Sequence, residues 1–300
     1  MTITTIYRKV LPTHFRKSIY DLFLGSVLRF FRTFNGRFLS FLAYRLSFLL
    51  KKTEKNYLYI FLGKYGVHPL PYEFRLKYEQ LPVQVRRDSE YGLPYVVFPD
   101  GKKRLFFPRL WSDTEVKRIY RGLYAEQDEK SPHYYLHRGI EELRGRVFLD
   151  IGAAEGFSSL QFVDWVDHIY LFEYEDEWLE ALTATFSPYQ DKCTIIRKYV
   201  CDSDTELTIT LDTFLSDKEN SNLFIKMDIE GAEISALRGA DRTLSDGKNI
   251  MLSVCTYHNK EDANRIAEIF DTKKIGYTFS PGYMFINNHL RKALIKGERS

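Results

Sequence analysis

Three acidic turns, each at the end of an apolar run, carry the residue types that could bind a nucleotide cofactor. Each run stops at a carboxylate, as expected of buried parallel strands whose carboxyl ends line a ligand crevice. The carboxylates belong to Asp150, Glu173 and Asp228. Their segments are RVFLDIGAAEGFSSL (146–160), YLFEYEDEW (170–178) and LFIKMDIEGAE (223–233). Together the three segments predict one cofactor pocket.

The first turn is typical of a strand that passes through glycines into a helix. Residues 147–150 form the predicted strand, Gly152 and Gly156 bracket the turn, and a helix begins at Phe157. Such a helix points its free N-terminal amides at an anionic group, and Gly152 lets the backbone approach the ligand closely. The same turn, taken alone, is also common as an ordinary strand-to-helix connection.

The spacing of residues in this turn helps to distinguish between possible cofactors. Glu173 lies 21 residues after Gly152, at the end of the next strand, where a carboxylate accepts the hydroxyl protons of a ribose. A dinucleotide site needs a further glycine to make room for pyrophosphate, and Ala154 occupies that position. The turn therefore disfavours NAD and leaves S-adenosylmethionine as the better fit.

The third turn resembles a known family. The run FIKMDIEGAEISALRGA (224–240), preceded by TITLDTFL (208–215), is similar to the corresponding motif of FkbM-type methyltransferases. The element CTYHNKEDA (255–263) looks like the Tyr-His element of the same family, and the resemblance spans about residues 100–288.

Two positions depart from the family pattern. The usual asparagine of the first turn is replaced around Ala154 and Glu155, and the proline that often follows the second carboxylate is Tyr174 here. The resemblance nevertheless implies an S-adenosylmethionine-dependent O-methyltransferase with a Rossmann-like α/β core, which releases S-adenosylhomocysteine. It implies a hydroxyl acceptor on a sugar, glycan or related metabolite.

The predicted cofactor residues follow from the strand ends and from the resemblance. Asp150 would orient the methionine part and Glu173 the ribose. Asp202 is a candidate for the adenine edge, with a solvated loop acid as the equal alternative. The full predicted set is Asp150, Gly152, Ala153, Ala154, Gly156, Glu173, Tyr174, Asp202 and Asp228.

Transfer of a methyl group to a hydroxyl needs a base near the attacking oxygen. His258 is the first candidate because it follows the fifth strand and an imidazole titrates near neutrality. Asp228 and Glu230 are alternatives, and Glu230, Glu233 and His258 are the predicted substrate contacts. A lone histidine is more often structural, and the glutamates could simply favour the start of a helix. Lys226, inside a strand, is predicted to be buried or paired with a carboxylate.

Other chemistries stay open from the residues alone. An NAD-linked sugar dehydrogenase or epimerase would use the same fold, and a non-catalytic nucleotide-binding module could keep the turn without transfer. No residue is predicted as a metal ligand, although the carboxylates of the site could hold Mg²⁺ against a substrate diol.

Charge is distributed unevenly along the 300 residues. Residues 1–60 hold 11 Lys or Arg against 2 Asp or Glu, whereas the other 240 hold 32 against 38. A net acidic core argues against nucleic acid as a partner. The cysteines, Cys193, Cys201 and Cys255, are not closely paired, and with no recognisable signal peptide they favour a reducing cytoplasm.

The basic segment predicts two amphipathic helices, 17–34 and 37–62, broken at Gly36. Charges interrupt its apolar runs too often for a spanning helix. Packing of its apolar stripe on the catalytic domain or on a second copy is favoured over contact with an anionic membrane surface or glycan carrier. The corresponding location is cytoplasmic, or peripheral to the inner face of the membrane.

The rest of the chain predicts a hairpin, a helix and then a mostly parallel sheet. The hairpin lies around Pro99-Asp100-Gly101, and the helix runs from Ser112 or Asp113 to about Asp128. Glu126, Asp128 and His133 could close over the cofactor or form a polar helix end. The sheet strands lie near 147–150, 169–173, 194–200, 223–228 and 250–255, with a final pair near 275–287. The predicted domains are a helical arm (1–80), a hairpin and helix elaboration (81–142) and the cofactor-binding domain (143–300).

Overall fold

A computed structural model of the protein describes residues 53–218 and 220–300. The chain divides into two compact units, Met1–Tyr72 and Glu73–Ser300. The predicted helix 17–34 and most of 37–62 lie outside the described residues. No helix in the described ranges is both long and apolar enough to cross a bilayer.

The described part of the first unit holds one helix, α1 (Glu54–Tyr65). The side chain of Thr53 caps its start by accepting a hydrogen bond from the Asn56 amide at 3.3 Å. Gly66 ends the helix with φ of 92°, a backbone conformation that glycine adopts without strain.

The second unit begins with the elaboration that precedes the sheet. A short helix α2 (Leu76–Glu79) is followed by an antiparallel three-stranded sheet and a longer helix. These elements are β1 (Arg86–Arg87), β2 (Pro94–Val97), β3 (Arg104–Phe106) and α3 (Asp113–Glu126). The predicted hairpin and helix are therefore both confirmed.

Helix α3 begins where its sequence predicts. Ser112 accepts a hydrogen bond from the Glu115 amide, and the Glu115 side chain accepts one from the Ser112 amide, which forms a capping box. At its other end, Tyr120 and Tyr124 pack with Phe98 and Phe157. This aromatic contact fixes the end of α3, and with it Glu126, against the turn that follows residue 150.

The core of the second unit is a seven-stranded sheet. In spatial order its strands are β11 (Gly276–Phe279), β14 (Leu294–Arg299), β10 (Ile250–Cys255), β9 (Leu223–Met227), β4 (Val147–Ile151), β5 (His168–Phe172) and β6 (Cys193–Ile196). Strands β4, β5, β6, β9 and β10 are parallel, and β14 runs antiparallel between β10 and β11. This strand order, with one reversed strand near the edge, is the class I methyltransferase form of the Rossmann-like fold. The predicted fold class is therefore confirmed.

Helices alternate with these strands. The elements are β4 (Val147–Ile151), α4 (Phe157–Phe162), β5 (His168–Phe172), α5 (Asp176–Phe186), β6 (Cys193–Ile196), β7 (Tyr199–Val200), β8 (Thr208–Ile209), α6 (Leu211–Phe214), β9 (Leu223–Met227), α7 (Glu233–Arg238), α8 (Asp241–Asp246), β10 (Ile250–Cys255), α9 (Asp262–Thr272), β11 (Gly276–Phe279), β12 (Met284–Ile286), β13 (His289–Arg291) and β14 (Leu294–Arg299).

The central strands are apolar throughout because both faces of the sheet are covered. On one face Phe148 stacks on its register partner Phe224 at 5.2 Å between ring centroids. On the other face, Leu149, Ile225 and Leu252 join the main hydrophobic cluster and are fully buried. The sheet is thus a rigid platform for the residues at its strand ends.

The C-terminal strands differ from the expected pair near 275–287. Strand β11 pairs with β14 (Leu294–Arg299), whereas β12 and β13 form a separate small hairpin. The sequence pattern was misleading because β12 (MFI) is wholly apolar, whereas β14 (LIKGER) has only two apolar residues before a charged stretch.

Candidate functional site

A pocket of about 210 Å³ opens where the sheet order reverses, at the carboxyl ends of β4 and β9. Open parallel sheets bind ligands at such a switch point, because helices leave the two adjacent strand ends in opposite directions. The pocket is lined by Leu123, Glu126, Gln127, Tyr135, Asp150, Gly152, Ala153, Ala154, Glu155, Phe157, Ser158, Lys226, Asp228, Glu230 and Tyr257.

Two of the three predicted carboxylates meet in this pocket. Asp150 at the end of β4 and Asp228 after β9 both line it, together with Gly152, Ala153, Ala154 and Glu230. Gly156, Glu173, Tyr174, Asp202, Glu233 and His258 lie outside the lining.

The glycine turn adopts the strained backbone that its sequence allows. Gly152 has φ of 81°, Gly156 of 78° and Ala154 of 47°. A Cβ atom on Gly152 would lie 2.1 Å from the backbone oxygen of Asp228. The backbone after β9 therefore leaves no room for a side chain at position 152, and the close approach of Gly152 to a ligand stays a prediction.

Asp150 and Lys226 form a buried ion pair in the wall of the pocket. Lys226 Nζ donates to Asp150 Oδ1 at 2.8 Å and to the Gly152 carbonyl at 2.7 Å, while Ser159 Oγ donates to Asp150 Oδ2 at 2.6 Å. Burial opposes the charge on Lys226, but Asp150 and Asp228 together raise its pKa above the ordinary value. The predicted pairing of Lys226 with a carboxylate is confirmed.

Asp228 is the centre of a second network. Tyr135 Oη donates to its Oδ2 at 2.9 Å and Tyr257 Oη to its Oδ1 at 3.1 Å. The nitrogen Nε2 of His133 lies 3.6 Å from Oδ2, and Nε2 of His258 lies 3.4 Å from Oδ1. Burial opposes ionisation, yet the histidines and Lys226 hold the pKa of Asp228 far below its usual range. Asp228 is therefore a stable anion and a poor proton acceptor.

His258 lies next to Asp228 and is surrounded by three carboxylates. Its Nδ1 is 2.9 Å from Glu233 Oε1, and its Nε2 is 3.9 Å from Glu230 Oε2 in addition to the contact with Asp228. The His258 side chain is 9% exposed, Glu233 is fully buried and Glu230 is 84% exposed. Burial alone would lower the pKa of His258, but Glu233 and Asp228 raise it.

Glu173 lies at the end of β5, as predicted, and is held by backbone amides. Its Oε2 accepts from Ala154 at 2.9 Å, and its Oε1 accepts from Tyr174 and Glu175 at 2.8 Å each. Burial raises the pKa of Glu173 despite these amides. The carboxylate thus ties the glycine turn to the end of β5, and its contact with a ribose stays a prediction.

Tyr174 and Asp202 are not among the residues that line the pocket. The ring of Tyr174 packs on Tyr199 at 4.4 Å between centroids. Asp202 is exposed in the loop after β7, where hydrogen bonds from Ser235 and Cys201 lower its pKa. Their contact with adenine stays a prediction.

The structure separates the three residues that were expected near the end of α3. Glu126 lines the pocket and His133 contacts Asp228. Asp128 instead accepts a hydrogen bond from Tyr78 at 2.7 Å and pairs with Lys77. Asp128 therefore holds the end of α3 against α2 and does not contribute to the pocket.

Three pocket residues were missed by the sequence reasoning or noted only in passing. Tyr135 and Tyr257 donate to Asp228, and burial raises the pKa of each well above its ordinary value, so that both stay neutral donors. Glu155 was seen only as a departure from the family pattern. Its place within the turn was the one available signal that it lines the pocket.

Two groups of side chains in the described ranges have ligand atoms close enough to surround a metal ion, within 4.8 Å of one another. They are His133, Asp228 and Cys255, and Asp228, Glu233 and His258. Both share Asp228, whose network of phenol and imidazole contacts accounts for the same geometry without an ion.

A family comparison agrees with the sequence motifs. Residues 202–279 match the model of the Methyltransferase FkbM domain, which confirms the resemblance noted from the sequence. The matched segment holds Asp228, Glu230, Glu233 and His258 and begins after the glycine turn. No curated protein matches the chain.

Solved structures with a similar fold include methyltransferases. One is the FkbM methyltransferase from Methylobacillus flagellatus, with 19% identity, a TM-score of 0.41, and coverage of 63% of this chain and 56% of that chain. Another is magnesium protoporphyrin IX methyltransferase from Synechocystis with bound S-adenosylmethionine, with 12% identity, a TM-score of 0.40, and coverage of 63% and 86%. The chain thus spans little more than half of the Methylobacillus protein.

Proposed function

We propose that the protein is an S-adenosylmethionine-dependent O-methyltransferase that acts on a hydroxyl group of a sugar, glycan or related metabolite. The observation that carries the proposal is the pocket at the switch point of a class I methyltransferase sheet, lined by Asp228 and by the glycine turn after β4. The family match over residues 202–279 supports the same activity.

The charge of the pocket supports this cofactor over a dinucleotide. Carboxylates of Glu126, Glu155 and Asp228 line it, and its one cationic lining residue, Lys226, is neutralised by Asp150. A pyrophosphate would meet these carboxylates without a free cation to balance it. When bound, S-adenosylmethionine would supply a methyl group on a positively charged sulfur, which such a pocket favours.

Asp228 and His258 would have different roles in the methyl transfer. Despite its burial, Asp228 stays ionised because His133, Lys226 and His258 lower its pKa, so its role is to stabilise positive charge and to hold the pocket in shape. His258, supported by Glu233 at 2.9 Å, is the better proton acceptor. Glu230 is exposed at the rim and would accept hydrogen bonds from acceptor hydroxyls.

Partners and location belong to the same proposal. The acceptor is a small molecule or a glycan, and residues 1–62 would contact an anionic carrier or membrane surface on the cytoplasmic side, or a second copy of the chain. The excess of Lys and Arg over acidic residues in 1–60 supports the anionic surface.

Thermal unfolding tests the cofactor first. S-adenosylmethionine and S-adenosylhomocysteine should each raise the melting temperature of the full chain, and NAD should not. Release of S-adenosylhomocysteine in the presence of a panel of sugars and glycans tests the transfer. Stabilisation by NAD alone would favour the dehydrogenase or epimerase alternative, and binding without release on any acceptor would favour a non-catalytic module.

A further inference from the structure

Two carboxylates of the pocket have no role in the transfer described above. Glu126 is the last residue of α3, and Glu155 lies in the glycine turn; we call them the acid pair. Both line the pocket, and Glu155 is only 8% exposed. In the described part of the chain, neither side chain forms a hydrogen bond or ion pair with another residue, and the Glu155 carboxylate accepts only from its own backbone amide.

No ion pair balances the charge of the acid pair, although His133 and Lys226 attract Glu126 from a distance and Lys226 attracts Glu155. Lys226 faces Glu155 from β9, but its ammonium group already donates to Asp150 and to the Gly152 carbonyl. Asp150 from β4 and Glu126 from α3 add repulsion. Burial, followed by these charges, raises the pKa of Glu155 to about 7, and burial raises the pKa of Glu126 as well.

A buried carboxylate without a cationic partner is costly to the folded protein, and a bound cation would offset that cost. An ammonium group suits the acid pair better than a sulfonium, because an ammonium has three N–H donors and a sulfonium has none. A neutral sugar hydroxyl would supply a hydrogen bond without balancing the charge. The pocket of about 210 Å³ is also small, as expected for one end of a ligand.

We propose that Glu126 and Glu155 together bind the α-ammonium group at the amino-acid end of the cofactor. This inference rests on the proposed function, since it assumes an S-adenosyl amino acid in the pocket. It gives Glu155, which departs from the family pattern in the turn, a contact with the ligand.

Calorimetric titration with three ligands tests the assignment. S-adenosylmethionine has both the ammonium and the sulfonium, S-adenosylhomocysteine has only the ammonium, and 5′-methylthioadenosine has neither. The variants are Glu155→Gln and Glu126→Gln, and the control is Glu129→Gln, an exposed acid three residues beyond Glu126 that lies outside the pocket lining. Thermal unfolding without ligand checks that each variant folds.

Each acid-pair variant should weaken S-adenosylmethionine and S-adenosylhomocysteine by about 10-fold or more, the effect of losing one charge-assisted hydrogen bond. Binding of 5′-methylthioadenosine should be unchanged, as should all three affinities in Glu129→Gln. Loss of S-adenosylmethionine binding alone would overturn the assignment, because it would place the carboxylates at the sulfur. Equal loss for all three ligands, or no loss, would also overturn it. If the unaltered protein binds none of the three, the proposed function falls, and this inference falls with it.

Discussion

Lys226 and Asp150 are register partners on the neighbouring parallel strands β9 and β4, and their charged groups meet 2.8 Å apart in the wall of the pocket. Their side chains are 7% and 1% exposed, so neither charge reaches bulk water. The pair links the strand end to the glycine turn through the second hydrogen bond, from Lys226 to the Gly152 carbonyl. The strand register is therefore part of the site's geometry.

Removing one partner of this pair should destabilise the fold strongly. Lys226→Met leaves Asp150 ionised and buried without its cation, which should lower the free energy of unfolding by about 3–5 kcal/mol in urea denaturation. The double variant Lys226→Met with Asp150→Asn removes both charges and should recover part of the loss. A single variant as stable as the unaltered protein would contradict the buried pair.

Gly152 is predicted to tolerate no side chain. In Gly152→Ala the new Cβ would lie 2.1 Å from the Asp228 carbonyl, so the backbone after β9 must move. We expect a loss of about 3 kcal/mol or more in the free energy of unfolding, and weaker S-adenosylhomocysteine binding.

Gly101→Ala is the matched control for that substitution. Gly101 also has positive φ, 72°, but a Cβ there meets nothing within 4 Å. Its cost should be only the backbone strain, about 1 kcal/mol. Equal losses in the two alanine variants would show that the contact with Asp228 is unimportant.

Glu155 should make the stability of the ligand-free protein fall as pH rises. Its pKa is about 7 in the folded protein, against about 4.3 for an unperturbed glutamate. The folded state therefore holds the proton more tightly between these values, and the contribution of Glu155 to stability is lost as pH increases through that window.

Glu155→Gln should consequently be more stable than the unaltered protein at pH 8, on the order of 2–3 kcal/mol, and no more stable near pH 4. Urea denaturation at the two pH values measures both differences. A stability gain that is the same at both pH values would have a cause other than ionisation of this carboxyl group.

The contact between Glu233 and His258 should set the protonation of the imidazole. Glu233→Gln removes the anion at 2.9 Å from Nδ1, so the pKa of His258 should fall in an NMR titration of the histidine ring signals. The rate of methyl transfer should then stay high down to a lower pH than in the unaltered protein, because the imidazole with the lower pKa remains unprotonated there. Glu268→Gln, which neutralises an exposed acid on α9, should leave the titration as it is. An unchanged pKa of His258 in Glu233→Gln would show that the two side chains are not in contact in solution.

Much of the fold could be predicted from local pattern. Apolar runs that end at Asp150 and Asp228 gave the central parallel strands, because a strand buried on both faces must be apolar throughout. The start of α3 was readable from Ser112 and Glu115, since a capping box is a contact between residues three apart. The last strand was not predicted, because half of the residues of β14 (LIKGER) are charged and the segment becomes a strand through its long-range pairing with β10 and β11.

The sequence by itself determined the class of the site: carboxylates at strand ends, a glycine turn with Ala154 in place of a third glycine, and the motif around Asp228. Only the tertiary structure decided which of these groups share a pocket. It brought Tyr135, Tyr257 and His258 to Asp228 and left Glu155 without a partner, because burial and charge balance depend on residues that lie far apart in the chain and meet only when the sheet forms.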